Sequence, residues 1–434
     1  MLLNPMNIDD LPGVVLVEIL SRLPCYKLVF QSKCVSKRWC ALISDPYFIG
    51  RFLYHLQSTA MEAPLLIRTL INPKGVELSC SPSCLSSNLL APVFRKLMSF
   101  HGLKHEPIVK ATYNDLVLCC EDEMEFYYFC NPYTLEFVAV PPSPRSYAWP
   151  PRKAPAAVIC DHNYYDYTKE GTGHNTILLK ADYRCKVVRI LPFVVEEDPY
   201  QSSKFTVEIF SSETGEWKES IIASPIPLYL NTSHISFAYN GMLYWWHSFT
   251  HRHVGMDPFM INSYGNGDRY KLRFMEFDGE VLDHRDTINC FGVCRGGLRM
   301  CYYQEEEDIL YVWDWREEGG CDQNGAGISE LCWKQTGVYS PGLEPDSVLE
   351  LLAFDPNNDD MLYLLDVHEE ICLCNIRTGD LSRLVGKDHV NVFHFFPLVL
   401  PWWPTPVPRL PKPSWLSKFM KLRLVAYCIV SICS

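Results

Sequence analysis

A change of periodicity near residue 52 limits the folds open to this 434-residue chain more than any other feature. Between residues 11 and 52 apolar residues recur at helical spacing, as in the stripe of Leu11, Val15, Ile19 and Leu23. Beyond residue 52 the chain consists of short apolar runs that glycine, proline, asparagine and aspartate interrupt. These two patterns predict a small helical domain followed by a much larger β domain.

The helical segment divides into three short helices. Pro12 is tolerated in a first helical turn, and Pro24 ends that helix. Residues 26–34 fit a second helix, and Ser36 caps a third, after which Asp45-Pro46 turns the chain. Three helices of this length bury little apolar surface by themselves, so we expect the domain to need a partner surface.

Short runs rich in β-branched and aromatic residues dominate the chain between residues 64 and 403. The clearest strand signals are Leu116–Cys120, Phe126–Cys130, Cys185–Leu191, Phe205–Phe210, Met242–Trp246, Leu310–Trp313, Met361–Leu365 and Glu370–Cys374. No helix of comparable length is expected in this part of the chain.

Three turns in the β domain share one composition, in which an apolar strand ends in a Thr-Gly or Pro-x-Thr turn. They are Asn131-Pro132-Tyr133-Thr134, Ser212-Glu213-Thr214-Gly215-Glu216-Trp217 and Asn375-Ile376-Arg377-Thr378-Gly379. This arrangement is typical of the joint between the third and fourth strands of a propeller blade. The turns therefore predict a β-propeller.

Grouping the strands by four gives the positions of the blades. The blades are predicted to start near Ile108, Ala156, His234, Asn289 and Val348. Strands left over at Leu65–Ile71, with neighbours before His101, and at Phe393–Leu400 predict one further blade, built from both ends, that closes the ring. We therefore expect an all-β propeller of six blades, with five to eight possible.

Three polar or proline-rich segments stand outside this strand pattern. The insertions Glu196–Lys204 and Arg316–Ile328 are expected to form loops on a propeller face. The proline-rich run Pro401–Pro413 is expected to end the sheets as an extended segment.

The composition argues against several classes of function. A net charge of −12 makes the chain a poor candidate for binding nucleic acid, which relies on cationic contacts to phosphates. Asp9 and Asp10 occupy the place where a signal peptide has its apolar segment, and the apolar stretch at 424–433 is too short to span a membrane. We therefore expect a cytoplasmic or nuclear protein with no nucleic-acid partner and no membrane-spanning segment. The tail at residues 414–434 has two interpretations, an amphipathic segment that lies on a membrane or on the propeller and a frayed terminus.

The 19 cysteines indicate buried thiols in a reducing compartment, because they are odd in number and scattered through apolar runs. Cys119 and Cys120 are neighbours in one strand, so we expect one in the core and the other facing outward.

The sequence contains no motif for catalysis or for metal binding. A Gly-x-Ser-x-Gly elbow, a phosphate-binding loop and a His-Glu-x-x-His helix are all absent. The pairs Cys80 with Cys84 and His251 with His253 lack a second ligand pair at zinc-finger distance. We expect no enzyme activity, no cofactor and no metal.

The ordered motifs of the helical segment closely resemble an F-box. They are Asp10-Leu11-Pro12, Leu20-Ser21-Arg22-Leu23-Pro24, Cys34-Val35-Ser36-Lys37-Arg38-Trp39 and Ile43-Ser44-Asp45-Pro46. The resemblance implies a docking module that packs its helices against a Skp-type adaptor, which connects it to a cullin scaffold and so to a ubiquitin ligase.

The same resemblance implies which residues contact the adaptor. They are Leu11, Pro12, Ile19, Leu20, Leu23, Pro24, Leu28, Cys34, Val35, Lys37, Trp39, Leu42 and Ile43. Three places depart from the family pattern. Gly13-Val14-Val15 stands where an acidic or polar residue usually follows the first proline, and Cys25-Tyr26-Lys27 stands where a cap-competent residue often occurs. Gln31 stands where the family often has an apolar residue.

The β domain resembles the plant F-box-associated domain, a kelch-like β-propeller. The segments that carry this resemblance are Tyr183–Ile190, Phe210–Trp217, Tyr239–Trp245 and Trp402–Pro406. The resemblance implies that the propeller captures the protein to be ubiquitinated. Members of the family do not share their propeller-face loops, so no substrate-binding residue can be assigned.

The predicted organisation has four parts. They are an F-box at residues 8–52, a linker at 53–63, an F-box-associated propeller at 64–405, and a proline-rich segment with an apolar tail at 406–434. The predicted function is that of a non-catalytic substrate-recognition subunit of a Skp-cullin-F-box ubiquitin ligase. The alternative is an F-box-like propeller protein that acts as a stand-alone protein-binding scaffold outside a ligase.

Overall fold

A computed structural model describes the chain at residues 8–24, 26–58, 67–71, 76–79, 89–121, 126–144, 156–161, 165–169, 175–179, 183–191, 204–224, 236–247, 252–260, 272–275, 288–295, 297–304, 307–321, 327–343, 348–355, 358–368, 370–385, 395–399 and 403–411. None of the helices in these segments is long and apolar enough to cross a membrane.

Four α-helices follow a 3-10 turn at Ile8–Asp10. They are α1 (Gly13–Leu20), α2 (Tyr26–Ser32), α3 (Lys37–Ile43) and α4 (Pro46–Ser58). The sequence predicted the first three, but the chain begins α4 where Asp45-Pro46 was expected to turn it. Proline is compatible with the first position of a helix, and the Asp45 carboxylate accepts a hydrogen bond from the Tyr47 amide at 2.8 Å.

The four helices enclose one apolar core. Its buried residues are Leu16, Val17, Leu20, Val29, Trp39, Ile43, Phe48, Ile49, Phe52 and Leu53. Because α4 supplies the last four of these, the fourth helix completes the helical unit.

The rest of the described chain is mainly β-structure. The strands are β1 (Ile67–Ile71), β2 (Val76–Ser79), β3 (Ile108–Tyr113), β4 (Leu116–Cys120), β5 (Tyr127–Asn131), β6 (Glu136–Ala139), β7 (Ala156–Cys160), β8 (Tyr165–Lys169), β9 (Asn175–Leu179), β10 (Cys185–Leu191), β11 (Lys204–Ser211), β12 (Glu216–Ala223), β13 (Phe237–Tyr239), β14 (Met242–His247), β15 (Arg252–Met256), β16 (Arg273–Met275), β17 (Ile288–Cys294), β18 (Gly297–Gln304), β19 (Ile309–Cys321), β20 (Gly327–Tyr339), β21 (Val348–Phe354), β22 (Met361–Asp366), β23 (Ile371–Asn375), β24 (Leu381–Val385) and β25 (Phe395–Val399).

Five antiparallel sheets of four strands form the blades of a β-propeller. They consist of β3 to β6, of β7 with β10 to β12, of β13 to β16, of β17 to β20 and of β21 to β24. The first strands of successive blades are neighbours, as expected of strands that surround a central axis. The propeller predicted from the sequence is confirmed.

The predicted blade starts agree closely with the strands. Those near Ile108, Ala156 and Val348 coincide with the first residues of β3, β7 and β21, and that near Asn289 lies one residue inside β17. His234 lies outside the described residues, shortly before β13.

A three-stranded sheet joins the two ends of the β domain. β25 pairs with β1, which pairs with β2. The Thr112 hydroxyl donates to the Pro397 carbonyl at 2.6 Å, and the Val399 amide donates to the Asn114 carbonyl at 2.9 Å. These bonds attach the sheet to the first blade. Both ends therefore contribute strands to one sheet, as predicted, beside five complete blades.

The three turns singled out in the sequence all join a third strand to a fourth. Asn131 and Asn375 each accept hydrogen bonds from the two backbone amides that follow in the turn, at 2.8 to 3.2 Å. Gly215 and Gly379 have φ of 71° and 74°, in the left-handed region that glycine adopts without strain. The turn chemistry visible in the sequence therefore determines these joints.

The largest departure from prediction is a helix, α5 (Leu90–His101), where only strands were expected before His101. Its buried residues recur at helical spacing against the first blade and are Leu90, Val93, Phe94 and Leu97. Gly102, with φ of 64°, ends the helix and donates its amide to the Met98 carbonyl. The strand prediction holds for β2 and is wrong for residues 90–101, because the 3.6-residue spacing of these side chains decides the local structure.

Propeller blades pack face to face, so an inner strand is covered on both sides. All five residues of β4 are buried. Cys119 lies in the core beneath α5, and Cys120 lies in the core between the first two blades. The expectation that one of these two thiols faces outward is therefore wrong, because both faces of the strand are interior.

The described cysteines are mostly buried thiols, as the sequence indicated. The buried free cysteines are Cys119, Cys120, Cys130, Cys290, Cys294, Cys301, Cys372 and Cys374. Burial raises the pKa of Cys294 to about 11, which disfavours its reactive thiolate. Cys160 and Cys185, which lie opposite each other on β7 and β10, form a disulfide that the sequence did not predict.

A long two-stranded ribbon replaces one of the predicted surface loops. β19 and β20 pair along their whole length, whereas β18 pairs with β19 only as far as Asp314. Beyond that point the rings of Trp315 and Trp333 pack edge to face, with centroids 5.2 Å apart. The loop predicted at 316–328 is wrong for residues 316–321 and 327–328, because strand pairing continues there.

The other predicted loop, Glu196–Lys204, lies outside the described residues except for Lys204, the first residue of β11. The second blade instead shows an inserted hairpin of β8 and β9 between its first two strands.

A buried ion pair stabilises the junction of the first two blades. Arg189 on β10 and Glu208 on β11 lie opposite in register, and their charged groups are 2.6 Å apart. The Ser143 hydroxyl donates to the same carboxylate at 2.5 Å, and the guanidinium lies 5.7 Å from the centroid of the Tyr127 ring. Because Tyr127 and Ser143 belong to the first blade and its exit, these contacts join the two blades.

Removing one member of this pair is expected to destabilise the propeller. Glu208→Ala leaves the Arg189 guanidinium buried without this carboxylate, and we expect the free energy of unfolding to fall by about 3–5 kcal/mol. The double variant Arg189→Met with Glu208→Leu should recover most of the loss, because neither charge is then buried. Urea denaturation followed by tryptophan fluorescence measures both; a single variant as stable as the double would contradict the prediction.

Candidate functional site

The first helix carries apolar residues on two sides. Leu16 and Leu20 are buried in the helical core, whereas Val15 and Ile19 are 42% and 46% exposed. The predicted apolar stripe that contains Val15 and Ile19 is thus the outward one. A core of four short helices cannot cover both sides of α1, so this stripe is available to a partner.

The residues expected to contact an adaptor fall into three groups. The exposed group is Pro12, Ile19, Pro24, Leu28, Cys34, Val35 and Lys37. The half-buried group is Leu11, Leu23 and Leu42. The buried group is Leu20, Trp39 and Ile43.

The exposed group, hereafter the docking surface, is rich in aliphatic side chains. Ile19, Leu28 and Val35 are 46%, 40% and 58% exposed and come from α1, α2 and the turn after α2. Grouped apolar exposure of this kind marks protein-interaction surfaces. The backbone that carries it is well supported, since the Arg38 guanidinium donates to the Leu11 carbonyl at 2.6 Å.

The buried group lies inside the helical unit. Leu20, Trp39 and Ile43 are at most 7% exposed and pack within the helical core. The Trp39 amide also donates to the Ser36 hydroxyl at 3.2 Å, so the predicted cap of α3 is present. These three side chains therefore lie beneath the surface in this structure, and their contact with an adaptor stays a prediction.

Four further exposed side chains of α1 and α4 were absent from the predicted set. They are Val14, Val15, Tyr47 and Tyr54, of which Val14 is 75% exposed. The signal for the valines was present in the sequence, because they stand where a polar residue is usual. The tyrosines gave no such signal, since α4 itself was not predicted.

A polar cluster on α1 and α4 fixes the angle between these helices. The Glu18 carboxylate accepts hydrogen bonds from Arg51 at 2.7 Å and Arg22 at 2.6 Å, and His55 lies 3.5 Å away. The hydrogen bond from Arg51 is the main reason why the pKa of Glu18 is below its usual value. The cluster therefore holds the exposed stripe of α1 in a fixed position against α4.

An aromatic junction attaches the helical unit to the propeller. Trp403 is 3% exposed and belongs to the helical core, although it follows the last strand of the β domain. Its ring centroid lies 5.1 Å from that of Phe30 and 5.7 Å from that of Phe52. Tyr26 packs against Tyr133 in the turn between β5 and β6, with centroids 5.8 Å apart.

Two residues beyond Trp403, a buried polar group fastens the chain to the first blade. The Asp115 carboxylate accepts hydrogen bonds from the Thr405 amide and from the Asn131 side chain, both at 2.7 Å. Asn131 also donates to the Thr405 carbonyl at 2.5 Å. Residues 403–411, hereafter the strap, form neither helix nor strand.

A cleft of about 670 Å³ lies between the helical unit and the propeller. Phe30 and Lys33 line it from the helices, and Arg184 lines it from the second blade. Arg184 is paired with Asp161 at 2.6 Å, and burial lowers the pKa of Lys33. The cleft therefore contains charges of both signs and shows no preference for a ligand of one charge.

No arrangement in the described part of the chain gathers three or more histidine, cysteine, aspartate or glutamate side chains as a metal site would. Of the ligand pairs considered in the sequence, Cys80, Cys84 and His251 lie outside the described residues. His253 lies on β15.

Comparison with known proteins agrees with this architecture. The family model described as "F-box protein At3g26010-like, beta-propeller" matches residues 90–392, and that of the F-box domain matches residues 8–49. The first match covers well over half of the chain. The chain therefore belongs to the family of plant F-box proteins with an At3g26010-like β-propeller.

Relatives in Arabidopsis thaliana share a modest part of the sequence. F-box protein At5g49610 is 26% identical over 244 residues, which are 54% of this chain and 57% of the relative. F-box protein At3g26010 is 24% identical over 394 residues, 88% and 81% of the two chains. F-box only protein 8 is 54% identical over 43 residues, 10% and 14%. The chain thus spans little more than half the length of At5g49610.

Removing the Trp403 ring is expected to loosen the helical unit. Trp403→Ala deletes a buried aromatic side chain, a change that typically costs about 3–5 kcal/mol. Hydrogen exchange measured by mass spectrometry should speed up in α2 and α4 and stay unchanged in the fourth blade. Trp315→Ala, which removes a partly exposed ring from β19, is the matched control. Unchanged exchange in α2 and α4 of Trp403→Ala would show that the junction does not hold the helices.

The buried Asp115 carboxyl is expected to make stability depend on pH. Burial raises its pKa from 3.8 to about 7, so between these values the folded chain holds a proton that the unfolded chain lacks. Stability from this group is therefore lost as pH rises through that window. The free energy of unfolding of Asp115→Asn, taken relative to that of wild type, should therefore rise by about 1.4 kcal/mol for each pH unit in this window. Urea denaturation at a series of pH values measures this difference. A difference that does not change with pH would contradict the prediction.

Proposed function

We propose that the chain is the substrate-recognition subunit of a Skp-cullin-F-box ubiquitin ligase. The observation that carries this proposal is the two-sided construction of the helical unit. One side is fastened to the propeller through Trp403, while the other exposes the apolar docking surface. A domain built this way can hold one protein on its free side and keep the propeller at a fixed distance from it.

The docking surface is suited to an adaptor. Ile19, Leu28 and Val35 supply exposed aliphatic groups that would lose water on association, and Lys37 and Arg38 supply exposed polar groups. Family membership supports a Skp-type adaptor as the partner, because that is the partner which the F-box resemblance implies. The cullin would be reached through the adaptor.

The propeller would hold the protein to be ubiquitinated. The strap and the contact of Tyr26 with Tyr133 restrict movement between helices and blades, so a bound target is kept at a defined distance from the rest of the ligase. Such tethering raises the effective concentration of target lysines near the conjugating enzyme. In this mechanism the chain carries out no bond chemistry and needs no cofactor, and it acts in the cytoplasm or nucleus.

A stand-alone scaffold is the second candidate. Gly13 occupies the first position of α1, where it weakens the helix that carries the outward stripe, and Gln31 exposes a polar group on α2. Both departures would lower the affinity for an adaptor. Adaptor binding distinguishes the two candidates.

Charges placed in the docking surface are expected to abolish adaptor binding. The double variant Ile19→Asp with Val35→Asp places two carboxylates in a surface that must lose water on association, so copurification with a Skp-type adaptor and a cullin should fall at least about tenfold. Both positions are exposed, and the melting temperature should therefore be unchanged.

The matched control places the same charges on the propeller. Ile221 and Val338 are 61% and 53% exposed, and Ile221→Asp with Val338→Asp should leave copurification intact. If wild type binds neither adaptor nor cullin, the scaffold becomes the better account. If the docking-surface variant binds as well as wild type, another surface holds the adaptor.

A further inference from the structure

The segment before the first blade has an unusual charge. No aspartate or glutamate occurs between Glu77 and Glu106, although the chain contains 51 acidic residues and has a net charge of −12. Arg95, Lys96 and Lys104 lie within this segment. The local charge is thus opposite to that of the whole protein.

The exposed side of α5 combines this charge with apolar groups. Phe100 is 75% exposed, and its ring packs edge to face on Phe137 with centroids 5.6 Å apart. Leu135, in the turn before β6, is 38% exposed, and its carbonyl accepts a hydrogen bond from the Lys96 ammonium at 2.9 Å. Arg95 is also exposed on α5, about 100° around the helix axis from Lys96, and its guanidinium donates to the Ala91 carbonyl at 3.3 Å. The α5 patch is hereafter Arg95, Lys96, Phe100, Leu135 and Phe137.

The α5 patch is held firmly by the parts beneath it. The opposite side of α5 packs on the first blade through Val93, Phe94 and Leu97. Lys96 links the helix to the turn before β6, and its ammonium also lies 5.8 Å from the Phe137 ring centroid. A partner would therefore meet a surface that needs little ordering on binding.

The acidic residue that stands between Leu135 and Phe137 in the sequence points away from the α5 patch. Glu136 stands between Leu135 and Phe137, but it lines the cleft on the helical-unit side, whereas Phe137 packs toward α5. Alternate residues of a strand point to opposite sides, so the Glu136 carboxylate lies across β6 from the patch. The cations of α5 are thus not opposed by this carboxylate.

We propose that the α5 patch binds an acidic segment of a partner protein, one in which carboxylates flank an aliphatic or aromatic side chain. Arg95 and Lys96 match the carboxylates, and Phe100, Leu135 and Phe137 match the apolar side chain. The net charge of −12 disfavours non-specific binding of such a segment elsewhere on the chain. The proposal concerns the propeller side of the molecule and does not depend on adaptor docking.

Selection from a phage-displayed library of short random peptides on the full-length protein tests the proposal. We expect enrichment of acidic peptides that contain Phe, Leu, Ile or Trp. A synthetic copy of an enriched peptide should bind at least about tenfold more weakly to Arg95→Glu with Phe100→Ala, by fluorescence anisotropy, and more weakly at high salt.

The matched control is Lys218→Glu with Ile221→Ala on β12, where both residues are exposed. It should bind the peptide as wild type does. Melting temperatures verify that both variants fold, and Arg95→Glu alone serves as a milder second variant. Enrichment of basic or uncharged peptides, enrichment of none, or equal binding to wild type and the α5 variants would overturn the proposal. Loss of adaptor binding in a separate copurification would bear only on the ligase proposal.

Discussion

The burial of Trp403 among the helices is the contact on which the arrangement of the molecule depends. A residue that follows the last strand of the β domain contributes its ring to the core of the N-terminal unit, between Phe30 and Phe52. Two residues later Thr405 is bound to Asp115 in the first blade, so the strap joins helices and propeller within a few residues. The contact of Tyr26 with Tyr133 adds a second attachment between the helical unit and the first blade.

The same contact explains why the docking surface lies where it does. Four short helices offer more apolar surface than one small core can enclose. Trp403 covers the side of α2 and α4 that faces the propeller, and the surplus on α1 and on the turn after α2 stays exposed. The ligase proposal therefore follows from the distribution of apolar surface, and the family of the chain supplies the identity of the expected partner.

Local chemistry allowed much of the propeller to be predicted. The turns at Asn131 and Asn375 use side-chain acceptors whose partners lie two and three residues away, so the sequence contains the whole interaction. The prediction failed for α5, where helical spacing outweighed strand propensity, and for Cys120, where a neighbouring blade covers the second face of a strand. It also missed α4, because Asp45-Pro46 is compatible both with a turn and with a helix start.

The candidate site, like the propeller, could be predicted only in part from the sequence. By itself, the sequence determined that a small helical domain precedes a propeller and where the blades start, because both depend on spacing and turn chemistry within a short stretch. The identity of the helical domain came from ordered motifs that resemble an F-box. Only the tertiary structure decided that Ile19 faces outward while Leu20 and Trp39 face inward, and that Phe100, Leu135 and Lys96 share one surface. The physical reason is that exposure depends on which distant segment covers a side chain, and no local pattern records that choice.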